Sequence, residues 1–141
     1  MSSQVIPDEG EAVALAAWLG KTAAATPLTL RLFSNNHTPA HGDTAASYTE
    51  VSGAGYAAFA LTAANWVITP GSPSSAAYPA HLFTFTGATD APGTIYGYYI
   101  TDNNNKVVTA QLLNSPPFTP AVNGDSVGVT PLITFASSSG D

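Results

Sequence analysis

The stretch Thr94-Ile95-Tyr96-Gly97-Tyr98-Tyr99-Ile100-Thr101-Asp102-Asn103-Asn104-Asn105-Lys106-Val107-Val108-Thr109-Ala110-Gln111-Leu112-Leu113 places two strand-like runs on either side of four polar turn formers. Asp and Asn tolerate positive φ, so residues 102–105 can reverse the chain within a few residues. Residues 94–113 therefore read as a tightly paired antiparallel hairpin, and that hairpin sets the class of the whole chain.

The same signals continue in both directions. Leu28, Leu30 and Leu32 alternate with Thr29, Arg31 and Phe33, the period-two pattern of a half-buried strand, which then meets the turn formers Ser34-Asn35-Asn36-His37-Thr38-Pro39. Residues 35–46 read as a loop. Further short strands are expected at residues 47–51, 56–61, 65–69, 81–86 and 125–135. They are separated by Ser52-Gly53-Ala54-Gly55, Pro70-Gly71-Ser72-Pro73, Ala91-Pro92-Gly93 and Asn123-Gly124. Pro116, Pro117 and Pro120 cannot donate ladder hydrogen bonds, so residues 114–124 read as a stiff surface connection. About eight strands in series predict an all-β fold, an antiparallel β-sandwich of jelly-roll type, with one short N-terminal helix.

That helix is read over residues 7–20. Pro7, Asp8, Glu9 and Glu11 suit a helix start, Ala and Leu dominate residues 12–19, and Gly20 before Lys21 is a stop. Leu15, Trp18 and Leu19 fall at i, i+3 and i+4 and form one apolar stripe, with Val13 beside it. The stripe can lid the sheet core or dock on a partner chain. The short linker before the first strand, at ~3.3–3.6 Å of reach per residue, favours the lid. The expected organisation is an N-terminal arm and helix over residues 1–26, a β-sandwich over 27–136 and a loose tail over 137–141.

Composition narrows the function. In 141 residues only 9% are charged and the net charge is −6, with three Lys and Arg in all. So few cations cannot neutralise a row of phosphates, which argues against nucleic-acid binding. The 12 Gly and 11 Pro stay below the ~25–30% that marks low-complexity disorder. No Cys is present, so neither a disulfide nor a thiol nucleophile is available. No apolar run approaches the ~18 residues of a membrane span, and the acidic start lacks the basic n-region of a signal peptide. A soluble protein, not exported by its own signal, is expected.

Catalytic patterns are weak throughout. His37 and His41 lie four apart with Asp43 after them, but Pro39 and Gly42 make the segment a loop, so no helical metal face forms. His81 opens an apolar strand and reads as a strand-end polar residue. No Ser stands in a nucleophile elbow, and Ser52-Gly53-Ala54-Gly55 has no following Lys to make a phosphate loop. No catalytic, cofactor-binding or metal-binding residue is assigned, and no enzyme is expected. Tyr96 and Tyr98, two apart on one strand, could share a face and form an aromatic shelf for a partner or a sugar ring, or one face could lie in the core. The partner-contact candidates are thus Val13, Leu15, Trp18, Leu19, Tyr96 and Tyr98.

Beyond these local signals, the order of segments carries a likeness. Pro7-Asp8-Glu9-Gly10-Glu11 precedes an Ala/Leu helix. Leu30-Arg31-Leu32-Phe33-Ser34-Asn35-Asn36-His37-Thr38-Pro39, Tyr48-Thr49-Glu50-Val51, Gly55-Tyr56-Ala57, Trp66, Phe83-Thr84-Phe85-Thr86-Gly87, Tyr96-Gly97-Tyr98-Tyr99, Asn123-Gly124-Asp125 and Val129-Thr130-Pro131 follow in turn. Over roughly residues 5–135 the chain resembles small structural proteins of tailed bacteriophage virions, in particular the jelly-roll head decoration, or cement, proteins. The resemblance implies a non-enzymatic protein on the outer surface of the capsid, made in the host cytoplasm, with the major capsid protein as partner and neither nucleic acid nor membrane among its ligands. The edges of a sandwich can also pair between copies, so a dimer or trimer is expected. A tail or fibre-adaptor protein, or a carbohydrate-binding host-attachment module using Tyr96 and Tyr98, are the alternatives.

Overall fold

The computed structural model describes residues 4–21, 27–114 and 117–135. It is mostly β, with antiparallel pairing and one helix. The linker at 22–26, Pro116 and the tail at 137–141 lie outside the described residues.

The hairpin forms as the turn chemistry requires. β6 (Gly97–Thr101) and β7 (Val107–Leu112) are joined by a turn in which Asp102 Oδ1 accepts the N–H groups of Asn104 and Lys106 at 2.9 and 2.8 Å. Asn105 takes a φ of 61°, the left-handed conformation that Asn adopts readily. On the other side of β6 lies β1 (Leu28–Phe33), with Leu30 opposite Ile100 and Leu32 opposite Tyr98, and β2 (Phe59–Leu61) completes a sheet of order β2-β1-β6-β7.

Five further strands make a second set. β3 (Val67–Thr69) pairs with β4 (Ser74–Ala77), and β4 with β9 (Leu132–Phe135). β5 (His81–Thr84) pairs with β8 (Ser126–Val129). The two pairings form one bent ribbon. Ser74 faces Phe135 and Ala77 faces Leu132, the Tyr78 N–H then donates to the Pro131 carbonyl at 3.0 Å, and His81 resumes opposite Val129. Pro79 and Pro131 have no N–H to give, which is why the ladder breaks between its two halves.

Alternation buries both faces of the four-stranded sheet. Leu30, Leu32, Leu61, Tyr98 and Ile100 form the main core with Phe83, Phe85 and Val129 from the ribbon side. On the opposite face Phe33, Tyr99, Val107 and Ala110 pack with Tyr48 from the loop after β1.

The expected strands hold in outline and differ in detail, with nine formed among the described residues. Residues 47–51 make no strand. A short 3-10 turn, Ala45–Ser47, runs into them, with Ser47 Oγ accepting the Thr44 N–H at 3.1 Å, and only Glu50 bridges Phe33. The expected strand at 56–61 shortens to β2 because Gly53, Ala54 and Gly55 all take positive φ and turn the chain just ahead of it. The expected strand at 125–135 divides at Pro131 into β8 and β9, and β4 forms in a stretch where the sequence predicts no strand.

Candidate interaction surface

The helix, α1 (Asp8–Trp18), rests on the backbone at the start of β7. Its point of contact is Gly10. A Cβ there would stand 2.7 Å from the carbonyl oxygens of both Val107 and Val108, so only glycine allows this approach. Glu9 Oε2 accepts the Val107 N–H at 2.6 Å, and the Asp8 N–H donates to the His41 carbonyl at 2.7 Å. Ahead of the helix Val5 exchanges two backbone hydrogen bonds with Ala110, both 2.9 Å. Gln4 bridges the two strand sets: its Nε2 donates to Thr109 Oγ1 at 2.7 Å, while its Oε1 accepts the N–H and hydroxyl of Thr134. The far end closes as a Schellman motif. The Lys21 and Gly20 N–H groups donate to Ala16 and Ala17, with Gly20 at a φ of 69°.

Because the contact runs through Gly10, the expected stripe faces solvent. Trp18 is 75% exposed, Leu19 72% and Leu15 53%, while Val13 is half-buried. The lid reading of this stripe gives way to an outward one. Trp18 meets one neighbour ring, Phe135 of β9, edge to face with centroids 6.2 Å apart. Beside this contact opens a groove of about 890 Å³, lined by Leu15, Trp18 and Phe135 on its apolar side and by Glu11, His41 and Ser74 among its polar groups.

Tyr96 and Tyr98 are not brought together. The alternation slips between them: Tyr98 lies in the main core, 5% exposed, and Tyr96 packs against the cluster on the other face. The Tyr98 hydroxyl donates to Gln111 Oε1 at 3.0 Å. Tyr96 and Tyr98 form no aromatic shelf, and among the described residues the aromatic pair presented to solvent is Trp18 with Phe135, which no period within one strand could have revealed. Phe135 lies 117 positions after Trp18 in the sequence.

The loop histidines separate too. His41 lines the groove, whereas His37 Nε2 lies 2.8 Å from Asp43 Oδ2. The same carboxylate oxygen accepts the Tyr48 hydroxyl at 2.7 Å and the Ala40 N–H at 2.8 Å. Burial works against the Asp43 charge, but these three donors outweigh it and hold the carboxyl below its ordinary range. Tyr48 stacks on Tyr99 with centroids 4.8 Å apart, and burial, followed by the Asp43 carboxylate, pushes its phenol far up. A second network adjoins it. Arg31 Nη1 reaches both Glu50 oxygens at 3.0 and 3.1 Å, and the Tyr56 hydroxyl donates to Glu50 Oε2 at 2.8 Å. Burial, with Glu50 adding to it, raises Tyr99 to about 12. Both networks pin the loop of residues 34–50 to the sheet.

His81 stacks on Phe59, centroids 3.7 Å apart, and burial lowers its pKa. Among the described residues no three His, Asp or Glu side chains converge on a point where a metal could sit. A second cavity of about 530 Å³ between β7 and β8 is lined by Tyr98, Gln111, Phe118 and Val127, and offers hydroxyl, amide and apolar groups. No helix among the described residues is long and apolar enough to cross a membrane. What the arrangement offers a ligand is a rigidly held helix with an apolar outer face beside a groove. Compared with protein-family models, curated proteins and solved structures, the chain matches none.

Proposed function

We propose that the protein is a non-enzymatic structural protein of a tailed-phage virion, a capsid decoration or cement protein. It binds the outer surface of the shell of major capsid protein, stabilises the head, and contacts the shell through the groove between α1 and β9. The observation that carries this reading is the exposure of Leu15, Trp18 and Leu19 on a helix whose backbone is locked to β7. Large apolar side chains gathered on one surface mark a binding site, and a preformed site loses little entropy on docking. The likeness of segment order to the cement proteins supplies the partner. In this reading the four-stranded sheet and the bent ribbon are the two layers of a jelly-roll sandwich, and copies associate with one another as a dimer or trimer.

With 9% charged residues, attachment rests on apolar burial and hydrogen bonds, so added salt weakens it little. The test is co-sedimentation with undecorated heads. The wild type is expected to pellet with heads from low salt to ~0.5 M, where screening acts within ~4–5 Å. Trp18→Ala is expected to stay in the supernatant. Failure of the wild type to bind, or equal binding by the variant, would overturn the assignment.

A further inference from the structure

We propose that the outer edge of β3, Val67–Thr69, is a homotypic docking edge that pairs antiparallel with the same edge of a second copy of this chain. The inference deepens the self-association proposed above by naming its surface, and it does not depend on shell binding.

The edges of the strand sets are unequally protected. Beyond β7 lies Val5, joined to Ala110 by two backbone hydrogen bonds. Beyond β9 lies Gln4, whose side chain takes the Thr134 N–H. β5 is flanked by the segment before β3: Phe59 covers His81, and the Ala54 carbonyl accepts the Thr86 N–H. β2 alternates, with Leu61 buried and Ala60 exposed. β3 is exposed at all three positions, with Val67 63% and Ile68 74% accessible. Among the described residues no backbone group from outside its own ladder is bonded to it.

Natural edge strands are blunted by shortness, a charge, a proline or a bulge. β3 is short, but it carries no charge, proline or bulge, and the strands behind it add no charge, since Val-Ile-Thr, Ser-Ser-Ala-Ala and Leu-Ile-Thr-Phe are all neutral. Residues 51–80 as a whole contain no Asp, Glu, Lys, Arg or His. In a chain of net charge −6 this is where two copies can approach without like-charge repulsion. The occupant follows from symmetry. A two-fold axis through the centre of a three-residue antiparallel edge sets Ile68 against Ile68 and Val67 against Thr69 of the other copy. These are β-branched pairs of the kind that stabilise sheets. The product is one continuous sheet running β9-β4-β3 and back through the second copy. So short an edge falls well below the ~800 Å² per partner of a stable interface, so association in solution is weak and gains strength where copies are arrayed.

Sedimentation velocity of the purified protein from ~10 μM to ~1 mM, the span of weak affinities, is the test. The average mass is expected to rise from 14.4 kDa towards twice that value. Ile68→Lys, which sets two ammonium groups face to face on the axis, is expected to weaken association at least ~10-fold. Thr69→Lys, at an exposed position that leaves Ile68 in place, should act in the same direction if Ile68→Lys disturbs folding. Val122→Lys, on an exposed loop residue elsewhere, should leave association unchanged. A constant monomer mass over the whole range would overturn the proposal. So would association that survives both β3 lysines, or that is lost in Trp18→Ala but not in Ile68→Lys. A protein that dimerises through β3 yet ignores undecorated heads would refute the shell reading and leave this one standing.

Discussion

Gly10→Ala separates the helix as a packed element from the helix as an isolated segment, because the two predict opposite signs. By propensity alone, replacing Gly inside a helix with Ala stabilises by about 1 kcal/mol. Here the new methyl carbon meets the Val107 and Val108 carbonyl oxygens at 2.7 Å and the Val108 Cα at 3.1 Å. All three are backbone atoms of a strand whose other side is hydrogen-bonded to β6, so they cannot swing aside as a side chain could and the helix must lift. Overpacking of this kind costs about 1–3 kcal/mol. Lifting also stretches the 2.6 Å bond from the Val107 N–H to Glu9, and a bond to a charged acceptor contributes about 1.5–3 kcal/mol. Set against the propensity gain, the net effect is a loss of about 1.5–5 kcal/mol. At ~3–5 °C per kcal/mol for a chain of this size, the melting temperature should fall by several degrees. Thermal melts of the wild type, Gly10→Ala and Ala12→Gly make the comparison. The last alters an exposed helical position and should cost about 1 kcal/mol. A Gly10→Ala protein more stable than the wild type would show that the helix does not rest on β7 through Gly10, and the groove beside it would lose its wall.

Trp18→Ala should lower stability by less than ~1 kcal/mol in a melt, against the ~3–5 kcal/mol of a buried Trp, since it loses little besides the edge contact with Phe135. Gln4→Ala removes the side chain that joins Thr109 to Thr134 and should cost about 1–3 kcal/mol by urea denaturation, while Gln4→Glu keeps only the acceptor half of the link. Asp43 has a carboxyl held below its ordinary value, so its contribution is complete above pH ~4 and is lost as pH falls through the lowered value. Denaturation midpoints between pH 6 and ~2 should therefore drop more steeply for the wild type than for Asp43→Asn, and equal slopes would refute the role given to the Tyr48 and His37 contacts.

Local chemistry made part of this fold legible in the sequence. The turn at Asp102 works through its own neighbours' N–H groups, and the helix ends at Gly20 through bonds within the last turn. Alternating Leu28, Leu30 and Leu32 likewise sufficed to mark β1 as a strand with an apolar face. In each case the deciding atoms lie within a few residues of one another. β4 carries no such signal: Ser-Ser-Ala-Ala has weak strand preference, and it is extended because β3 and β9 flank it. Residues 47–51 carry a strand-like pattern and form none, because Tyr48 is drawn into the stack on Tyr99 and its hydroxyl onto Asp43. The candidate site divides the same way. That Leu15, Trp18 and Leu19 share a helix face is a matter of 3.6-residue geometry and needs no structure. Which way that face points was decided by Gly10 and Glu9 meeting Val107, partners 98 positions apart in the Glu9 bond. Periodicity reports which side chains travel together, but the direction they face depends on where a distant backbone leaves room for the helix to approach, and here that room exists only at a glycine.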